Sequence, residues 1–419
     1  MYGFRLQVRL GRVLLFVDLK RRTDAIAYKL RTRSRIVPIL ALFVNAICGI
    51  PFRLYKFVVK TKTKLCGSAN ILLIRADRIG DMILTTPVFE PLRERYPNAH
   101  ITCMASSLSS QLIDGNPYID AVMIYDPPWF DRQKGQKRLR SWLKTVRLIR
   151  AEKFDMAIDF RGNIFNFFLL MFLGGIPRRV SFDAALGSFL LTDPVPFVAG
   201  KHETDYFLDL VKAVGCKEVN EPKGLIVLSE EENRCAETFF RSNNIADDDV
   251  VIAVHPGAGE KRIYKRWPEE RYCELGKALV QKYGAKIIVT GSKAEIDLAS
   301  RVAGAIGENA VLAAGKIYHL KHLAAVLKRC AACIGTSTGP THLAAAVGIP
   351  TVVLCGPEAP RRWHPLGSNH ILIEKEMACR PCREESCPYD GRCLKLISTE
   401  CVLDVIEPLL SIGTKADVV

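Results

Sequence analysis

The sequence has neither of the two common glycine-rich fingerprints for nucleotide binding. It contains no G-x-G-x-x-G segment and no G-x-x-x-x-G-K-[S/T] segment. The first fingerprint holds dinucleotides in Rossmann dehydrogenases, and the second holds the phosphates in P-loop proteins. Their absence disfavours a nicotinamide-dependent enzyme and a P-loop nucleotidase.

Acidic residues are scarce at the start of the chain. Residues 1–65 contain fifteen Lys or Arg but only two acidic residues, Asp18 and Asp24, which gives +13 of the overall +15. Residues 66–419 therefore carry only +2. Because the basic excess belongs to this leading segment, the nearly neutral body gives no support to a nucleic-acid partner.

The chain also offers little apolar length for crossing a membrane. Residues 36–52 are uncharged, but seventeen residues lie at the short end of what a spanning helix needs. Pro38, Asn45, Gly49 and Pro51 weaken such a helix further, and basic residues flank it on both sides. We expect a re-entrant or interfacial segment held to anionic lipid, with a helix packed on the protein's own body as the alternative.

No apolar leader with a small-residue cleavage site opens the sequence, and its fourteen cysteines are scattered. We therefore expect a reducing compartment with mostly buried, inert thiols. Cys379, Cys382, Cys387 and Cys393 follow the spacing C-x2-C-x4-C-x5-C. This spacing leaves zinc ligation, free thiols and a redox-labile disulfide open.

Short apolar strands alternate with helices from residue 70 onwards, which predicts α/β architecture with parallel sheets covered on both faces. The predicted strands are 71–74, 100–104, 121–125, 154–159, 250–254, 286–290, 310–312, 332–334 and 351–354. Two doubly wound units of similar size imply a cleft between them. We divide the chain into an extension (1–66), an N-terminal domain (67–228), a C-terminal domain (229–375) and a tail (376–419).

The first candidate loop, Arg75–Met82, directly follows the first buried strand. In open α/β sheets, ligands bind beyond the carboxyl ends of the strands, so this loop is expected to face the cleft. Gly80 allows a tight turn, and Asp81 lies near the start of the next helix. Asp81 is either a helix cap or a cleft-edge carboxylate that takes a proton from an incoming hydroxyl.

The second candidate loop runs from His255 to Pro268 and carries four cations. Gly257 and Gly259 let backbone amides approach an anion, while Lys or Arg supplies the countercharge. A solvated basic loop would explain the cations but not the glycines. We therefore predict a phosphate site here.

The third candidate loop, Gly335–Ala346, turns from a strand into an Ala-rich helix with Pro340 near its start. The free amides of that helix start, with the hydroxyls of Ser337, Thr338 and Thr341, can bind an anion. His342 is either a satisfied core histidine or part of the same site. Together with the cationic loop, this helix start suits a diphosphate.

Taken together, these loops resemble those of glycosyltransferase family nine, the ADP-heptose:lipopolysaccharide heptosyltransferases and their relatives. The resemblance covers about residues 70–410. It rests on ILLIRADRIGDMILTTPVFEPLRERYP, HPGAGEKRIYKRWPEERY, VTGSKAEIDLA and GTSTGPTHLAAAVGIPTVVLCGP, which occur in the family's order.

The resemblance implies a GT-B fold, in which two Rossmann-like domains face each other across a cleft behind the basic extension. It also implies inversion at the sugar carbon, no cofactor and no catalytic metal. Asp81 would be the general base, with Arg78 and Gly80 on the acceptor side. The nucleotide-sugar, ADP-heptose in the first instance, would be bound by Gly257, Gly259, Lys265, Glu295, Ser337, Thr338, Gly339, Pro340, Thr341 and His342.

The chain departs from the family at two places that touch donor recognition. Core-type heptosyltransferases usually carry Asp where this chain has Ser337, and the loop between His255 and Lys265 is longer than in some members. The identity of the sugar therefore stays open. In a GT-B protein the last helix, here about 399–410, commonly crosses back to the first domain.

Three functions are compatible with the sequence. The first is transfer of a heptose or related sugar to a lipopolysaccharide core or similar lipid-linked glycan, in the cytoplasm at the inner face of the cytoplasmic membrane. A nucleotide-sugar epimerase of the same architecture is the second, but it would have little use for the extension. The third is a non-catalytic membrane-bound adaptor, against which the intact Asp81 and Lys265 argue.

Overall fold

The computed structural model describes residues 6–10, 13–17, 19–30, 36–58, 68–127, 138–259, 263–382 and 387–413. The chain begins with an antiparallel hairpin, β1 (Leu6–Leu10) and β2 (Val13–Val17), followed by helices α1 (Leu19–Leu30) and α2 (Ile36–Val58). No helix in the described part of the chain is long and apolar enough to cross a membrane.

The first domain is built on a parallel sheet with helices on both faces. Its strands are β3 (Asn70–Arg75), β4 (His100–Ala105), β5 (Ala121–Ile124), β6 (Met156–Asp159), β7 (Arg178–Phe182) and β8 (Asp193–Val195). The helices are α3 (Ile79–Ile83), α4 (Phe89–Arg95), α5 (Arg138–Glu152) and α6 (Glu203–Ala213), with a π-helix at Asn166–Phe172. Ile71 and Leu73 point into one core and Leu72 and Ile74 into another, as a sheet buried on both faces requires.

The second domain repeats this plan. Its strands are β9 (Val251–His255), β10 (Lys286–Val289), β11 (Ala310–Leu312), β12 (Ala332–Thr336), β13 (Thr351–Cys355) and β14 (His370–Glu374). The main helices are α7 (Glu230–Ser242), α8 (Glu269–Tyr283), α9 (Ile296–Ile306), α10 (Leu320–Lys328) and α11 (Gly339–Ala346). Short helices α12 (Pro360–Trp363) and α13 (Arg392–Lys395) precede the last helix, α14 (Thr399–Gly413).

Both sheets have the same strand order, β5-β4-β3-β6-β7-β8 and β11-β10-β9-β12-β13-β14. In each, the first strand of the domain lies between its second and fourth strands, so the order reverses beside that first strand. A crevice opens at this reversal, beyond the carboxyl ends of the strands. The loops after β3 and β6, and those after β9 and β12, therefore lie at the two crevices.

The predicted α/β architecture and all nine predicted strands are confirmed. From the sequence we did not predict the hairpin strands β1 and β2, nor β7, β8 and β14, which lie towards one edge of the two domain sheets. Edge strands are only partly covered, and β8 is three residues long with Pro194 in its centre. The apolar pattern of β8 is consequently short and interrupted, whereas its neighbour β7 is largely buried.

The last helix does not cross back to the first domain as we expected. Val402, Ile406 and Leu410 are buried in the core of the second domain, and Glu407 lies 2.9 Å from Lys282 on α8. The return contact is made instead by the α12 region, where Nε of Arg362 lies 2.6 Å from the Glu203 carboxylate. The difference arises because the apolar face of α14 matches the surface of α8, β12 and β13.

Candidate active site

The two crevices meet at the domain interface. α3 of the first domain packs against α11 of the second. A Cβ added to Gly80 would lie 3.1 Å from the His342 ring, and one added to Gly339 would lie 2.8 Å from Cβ of Ile79. Because neither position has room for a larger side chain, these glycines let the Asp81 loop and the α11 start come into contact.

Asp81 lies on α3 with its side chain 20 % exposed. Nη2 of Arg75 lies 3.0 Å from Oδ1 of Asp81, and Nη1 of Arg75 lies 3.2 Å from Oδ2 of Asp77. Asp77 also pairs with Arg161, from the loop after β6. Arg78, rather than Asp81, occupies the N-cap position of α3. The Asp81 carboxylate is thus oriented by a buried Arg75 and reaches the crevice, as a proton acceptor would.

His342 is buried on α11 close to this carboxylate. Burial lowers the pKa of His342 to about 4, against the opposing attraction of Asp81. The charges of His202, His364 and His370 act in the same direction as burial. His342 is therefore neutral near pH 7, and its role is to pack beneath the site, with Gly80 over its ring.

Acidification is expected to weaken the fold through His342. Its folded-state pKa of about 4 lies below the ordinary 6.5, so between these values the unfolded chain binds a proton that the folded chain does not. Stability is therefore lost as the pH falls. Between about pH 7 and pH 5 this one group costs about 2 kcal/mol. Urea denaturation at both pH values should show a smaller loss for His342→Gln than for the unsubstituted protein; equal losses would contradict this.

The glycine loop after β9 is held by Glu295, which is 3 % exposed. The N–H of Gly259 donates to Oε1 of Glu295 (2.8 Å), and Ser292 donates to Oε2 through its N–H and hydroxyl (2.9 and 2.7 Å). Burial acts to raise the pKa of this carboxyl, but His255 and these N–H donors lower it overall. The family resemblance implied that Glu295 binds the nucleotide-sugar; in the structure its carboxylate shapes the loop.

The two glycines of this loop have different structural requirements. A Cβ on Gly257 would lie 2.2 Å from Oε1 of Glu295, so no side chain fits there. Gly259 has open space around it, but its φ of +83° is a backbone conformation that favours glycine. The loop therefore offers a close backbone approach to the crevice, as an anion site requires.

Lys265 lies on a short 3-10 helix at the edge of the crevice and pairs with Glu358. Glu358 follows β13, and both side chains are largely buried. Glu358 balances the charge of Lys265 in this structure. A diphosphate carries more negative charge than one carboxylate and would compete with Glu358 for the lysine. Glu260, Lys261 and Arg262 of the same loop lie outside the described residues.

The third loop divides into buried and accessible parts. Thr341 is fully buried: its hydroxyl donates to the carbonyl of Thr336 or Thr338 and accepts from the N–H of Thr338 at 3.2 Å. Thr341 is therefore the N3 residue of a capping box whose N-cap is Thr338. Ser337, Thr338, Gly339 and Pro340 are partly exposed and form the accessible turn at the start of α11. This turn is the accessible part of the loop, whereas Thr341 and His342 are buried beneath it.

The remaining predicted residues lie apart from these contacts. Arg78 is exposed at the N-terminal end of α3. Cys379, Cys382, Cys387 and Cys393 are all free thiols. Within the described ranges no three His, Cys, Asp or Glu side chains are arranged to hold a metal ion, so the geometry gives the zinc hypothesis no support.

Contacts on both sides of the crevice join the domains. Besides the Arg362–Glu203 pair, Nε2 of His202 lies 3.0 Å from the carbonyl of His364. Towards α10, the buried Lys321 ammonium donates to the carbonyl of Asp114 (3.1 Å). These bonds fix how the Asp81 side of the crevice faces the Lys265 side.

Sequence reasoning missed Arg75, Asp77, Arg161 and Glu358. The first two lie inside the loop that was singled out, and a charged residue ending a buried strand was a usable signal. Arg161 and Glu358 follow β6 and β13, and only the strand order reveals that they border the crevices.

Comparisons with known proteins agree with this geometry. The model of the family "Glycosyltransferase family 9 (heptosyltransferase)" matches residues 142–392. Lipopolysaccharide heptosyltransferase 1 of Pseudomonas aeruginosa is 24 % identical over 76 % of this chain and 88 % of its own length.

Solved structures show the same fold. A glycosyl transferase family 9 structure from Veillonella parvula has a TM-score of 0.74 at 25 % identity, covering 84 % of this chain and 99 % of that one. The Escherichia coli heptosyltransferase WaaC with ADP-2-deoxy-2-fluoro heptose has a TM-score of 0.63 at 18 % identity, covering 81 % and 99 %. The fold is GT-B, and the chain belongs to glycosyltransferase family 9 and is a glycosyltransferase enzyme.

Proposed function

We propose that this enzyme is an inverting, metal-independent heptosyltransferase of lipopolysaccharide assembly. It moves a heptose or related sugar from an ADP-sugar, or another nucleotide-sugar, to a lipopolysaccharide core or similar lipid-linked glycan. The observation that carries the proposal is the contact between the Asp81 helix and the start of α11. Under this proposal, the contact brings the general base, Asp81, next to the helix start that binds the diphosphate.

Asp81 acts as the general base. Its carboxylate takes the proton of an acceptor hydroxyl as that oxygen attacks the anomeric carbon of the sugar. The bond between this carbon and the diphosphate oxygen breaks on the opposite face, so the configuration inverts. Arg75 keeps the carboxylate pointed towards the hydroxyl through its 3.0 Å contact.

The diphosphate leaves with the bonding electron pair, and its charge needs stabilisation. We assign this task to Lys265 and to the backbone N–H groups of Gly257, Ala258, Ser337 and Gly339. The N–H groups of Gly259 and Thr338 already donate to Glu295 and Thr341, and Pro340 has none. Fixed cations and N–H donors stabilise developing charge without reorganisation at the moment of reaction. They would fill the role that a metal ion takes in other transferases.

The donor assignment draws on relatives. The WaaC structure contains an ADP-sugar analogue, and the Pseudomonas aeruginosa relative is named for lipopolysaccharide. Ser337 replaces the Asp that core-type heptosyltransferases carry, so a related sugar is also compatible. The acceptor would bind to the first domain, near Arg78 and Gly80.

A donor panel tests this assignment. The enzyme is incubated with a lipid A-core acceptor and ADP-, UDP- or GDP-sugars in turn, and the acceptor mass is followed. We expect a gain of one glycosyl residue with an ADP-sugar and the largest yield with ADP-heptose. An epimerised nucleotide-sugar with no change in acceptor mass would instead establish the epimerase. No turnover with any donor, in protein that binds nucleotide, would favour the adaptor.

A further inference from the structure

We propose that the outer face of α2 and the neighbouring face of α5 form one membrane-binding surface on the first domain, whose partner is an anionic lipid bilayer. The proposal deepens the proposed function, because a lipid-linked acceptor has to be met at a bilayer. The proposal rests on that function only for the reason why the enzyme would bind a membrane. Lipid binding itself can be measured without any glycosyl transfer.

α2 is packed with its polar and small side inward. Asn45 donates to the carbonyl of Ala185 at 2.9 Å and accepts from the N–H of Gly187 at 2.8 Å. Pro38, Ala41 and Gly49 are buried on the same side. Paired side-chain bonds from one residue to two backbone groups fix the rotation of the helix. α2 is thus docked on the protein's own body, the alternative weighed from the sequence.

The opposite side of α2 carries its large apolar side chains. Ile36, Ile39, Leu40, Phe43, Ile47 and Ile50 are each 51–74 % exposed. Their spacing of three and four residues places them along one face of the helix. A helix that only completed a soluble core would turn this face inward. Continuous apolar exposure of this kind marks a protein or membrane contact.

α5 supplies a second, independent part of the surface. Leu143 and Leu148 are exposed on it, as are Lys144, Arg147 and Arg150. Residues 138–150 contain five basic residues and no acidic one. Helices that lie in a membrane interface combine apolar side chains with Lys and Arg in this way.

Contacts within the domain link α2 to α5. α2 packs on the 188–190 turn, the turn contacts the π-helix Asn166–Phe172, and α5 packs on that helix. Phe165 and Phe168, at the start of that helix, are about half exposed. Exposed apolar residues are therefore found on α2, at the π-helix and on α5, while the 188–190 turn that joins them is partly or fully buried.

The positive charge near this surface favours an anionic bilayer over a second copy of this chain as its binding partner. Arg31, Arg33 and Arg35 precede α2 in the sequence, and the α5 face is basic. Two copies meeting through this surface would bring like charges together, whereas an anionic bilayer neutralises them. Each Lys or Arg near such a bilayer adds to its attraction.

Co-sedimentation of the full chain with vesicles tests the proposal. Vesicles of phosphatidylethanolamine with phosphatidylglycerol are compared with pure phosphatidylcholine, and Phe43→Glu/Ile47→Glu and Lys144→Glu/Arg147→Glu are compared with the unsubstituted chain. We expect the α2 variant to bind anionic vesicles at least about tenfold more weakly, since charge replaces inserted apolar groups. The α5 variant should lose several-fold. Tyr318→Glu, at an exposed aromatic residue of the second domain, is the matched control and should bind normally.

The outcomes separate lipid binding from the other possibilities. Unchanged vesicle binding by both variants would overturn the proposal. So would a dimer of the unsubstituted chain that the α2 variant loses while lipid binding persists. Phe43→Ser/Ile47→Ser repeats the test if the charged variant fails to fold. Transfer to a delipidated, water-soluble acceptor should be unchanged in the variants, so failure of the transferase assignment would be seen separately.

Discussion

Replacing Asp81 by Asn is expected to reduce transfer by about 10²- to 10⁴-fold, the usual contribution of a positioned general base. The amide keeps the size of the side chain but cannot accept the proton of the acceptor hydroxyl. Donor binding should be unchanged, because the donor groups lie on the second domain. Initial rates give the first quantity, and calorimetric titration with the nucleoside diphosphate gives the second.

The matched control is Glu90→Gln, a carboxylate-to-amide change on α4 of the same domain. Glu90 is exposed and is bonded by the hydroxyl of Tyr118 at 2.9 Å, away from the crevice. Its rate should match that of the unsubstituted enzyme. Near-normal transfer by Asp81→Asn would remove Asp81 from the role of base.

Replacing Lys265 by Ala is expected to weaken binding of the nucleoside diphosphate by about 10- to 100-fold. Loss of a charge-assisted contact costs about 1.5–3 kcal/mol, and each 1.4 kcal/mol is about tenfold. The change also leaves the Glu358 carboxylate unpaired near the diphosphate. Calorimetric titration measures the effect.

Glu358→Gln and Lys282→Ala complete this comparison. Glu358→Gln removes the carboxylate that competes for Lys265, so diphosphate binding should be as strong as before or a few-fold stronger. Lys282→Ala removes an exposed lysine of α8 that pairs with Glu407, and should have no effect. Equal affinities for Lys265→Ala and Lys282→Ala would show that Lys265 does not hold the diphosphate.

The sequence predicts the central strands well because they are buried on both faces. Ile71–Ile74 and Val251–Val254 are continuous apolar runs that lie between covering helices. The contact between α3 and α11 could not be predicted from the sequence pattern. It depends on how two domains pack, and Gly80 and Gly339 reveal it only once the neighbouring side chains are placed.

The same distinction applies to the site residues: positions set by strand ends could be predicted, and contacts set by packing could not. Asp81, Lys265 and the Ser337–Pro340 turn lie at the crevices as predicted, because strand ends fix their position. Glu295 and Thr341 hold loops together in the structure, since hydrogen-bonding groups in a loop can bind backbone as readily as ligand. Their contact with the nucleotide-sugar stays a prediction. The sequence likewise identified 36–52 as unusual, but only the Asn45 contacts show which side of α2 faces outward.

The most direct test of the central claim compares two products of one reaction. Enzyme, ADP-heptose and a lipid A-core acceptor are incubated with a chelator, and released nucleoside diphosphate is measured together with acceptor mass. We expect one nucleoside diphosphate for each glycosyl residue gained, and almost none of either with Asp81→Asn. Release of nucleotide without any gain in acceptor mass, or equal turnover by Asp81→Asn, would contradict it.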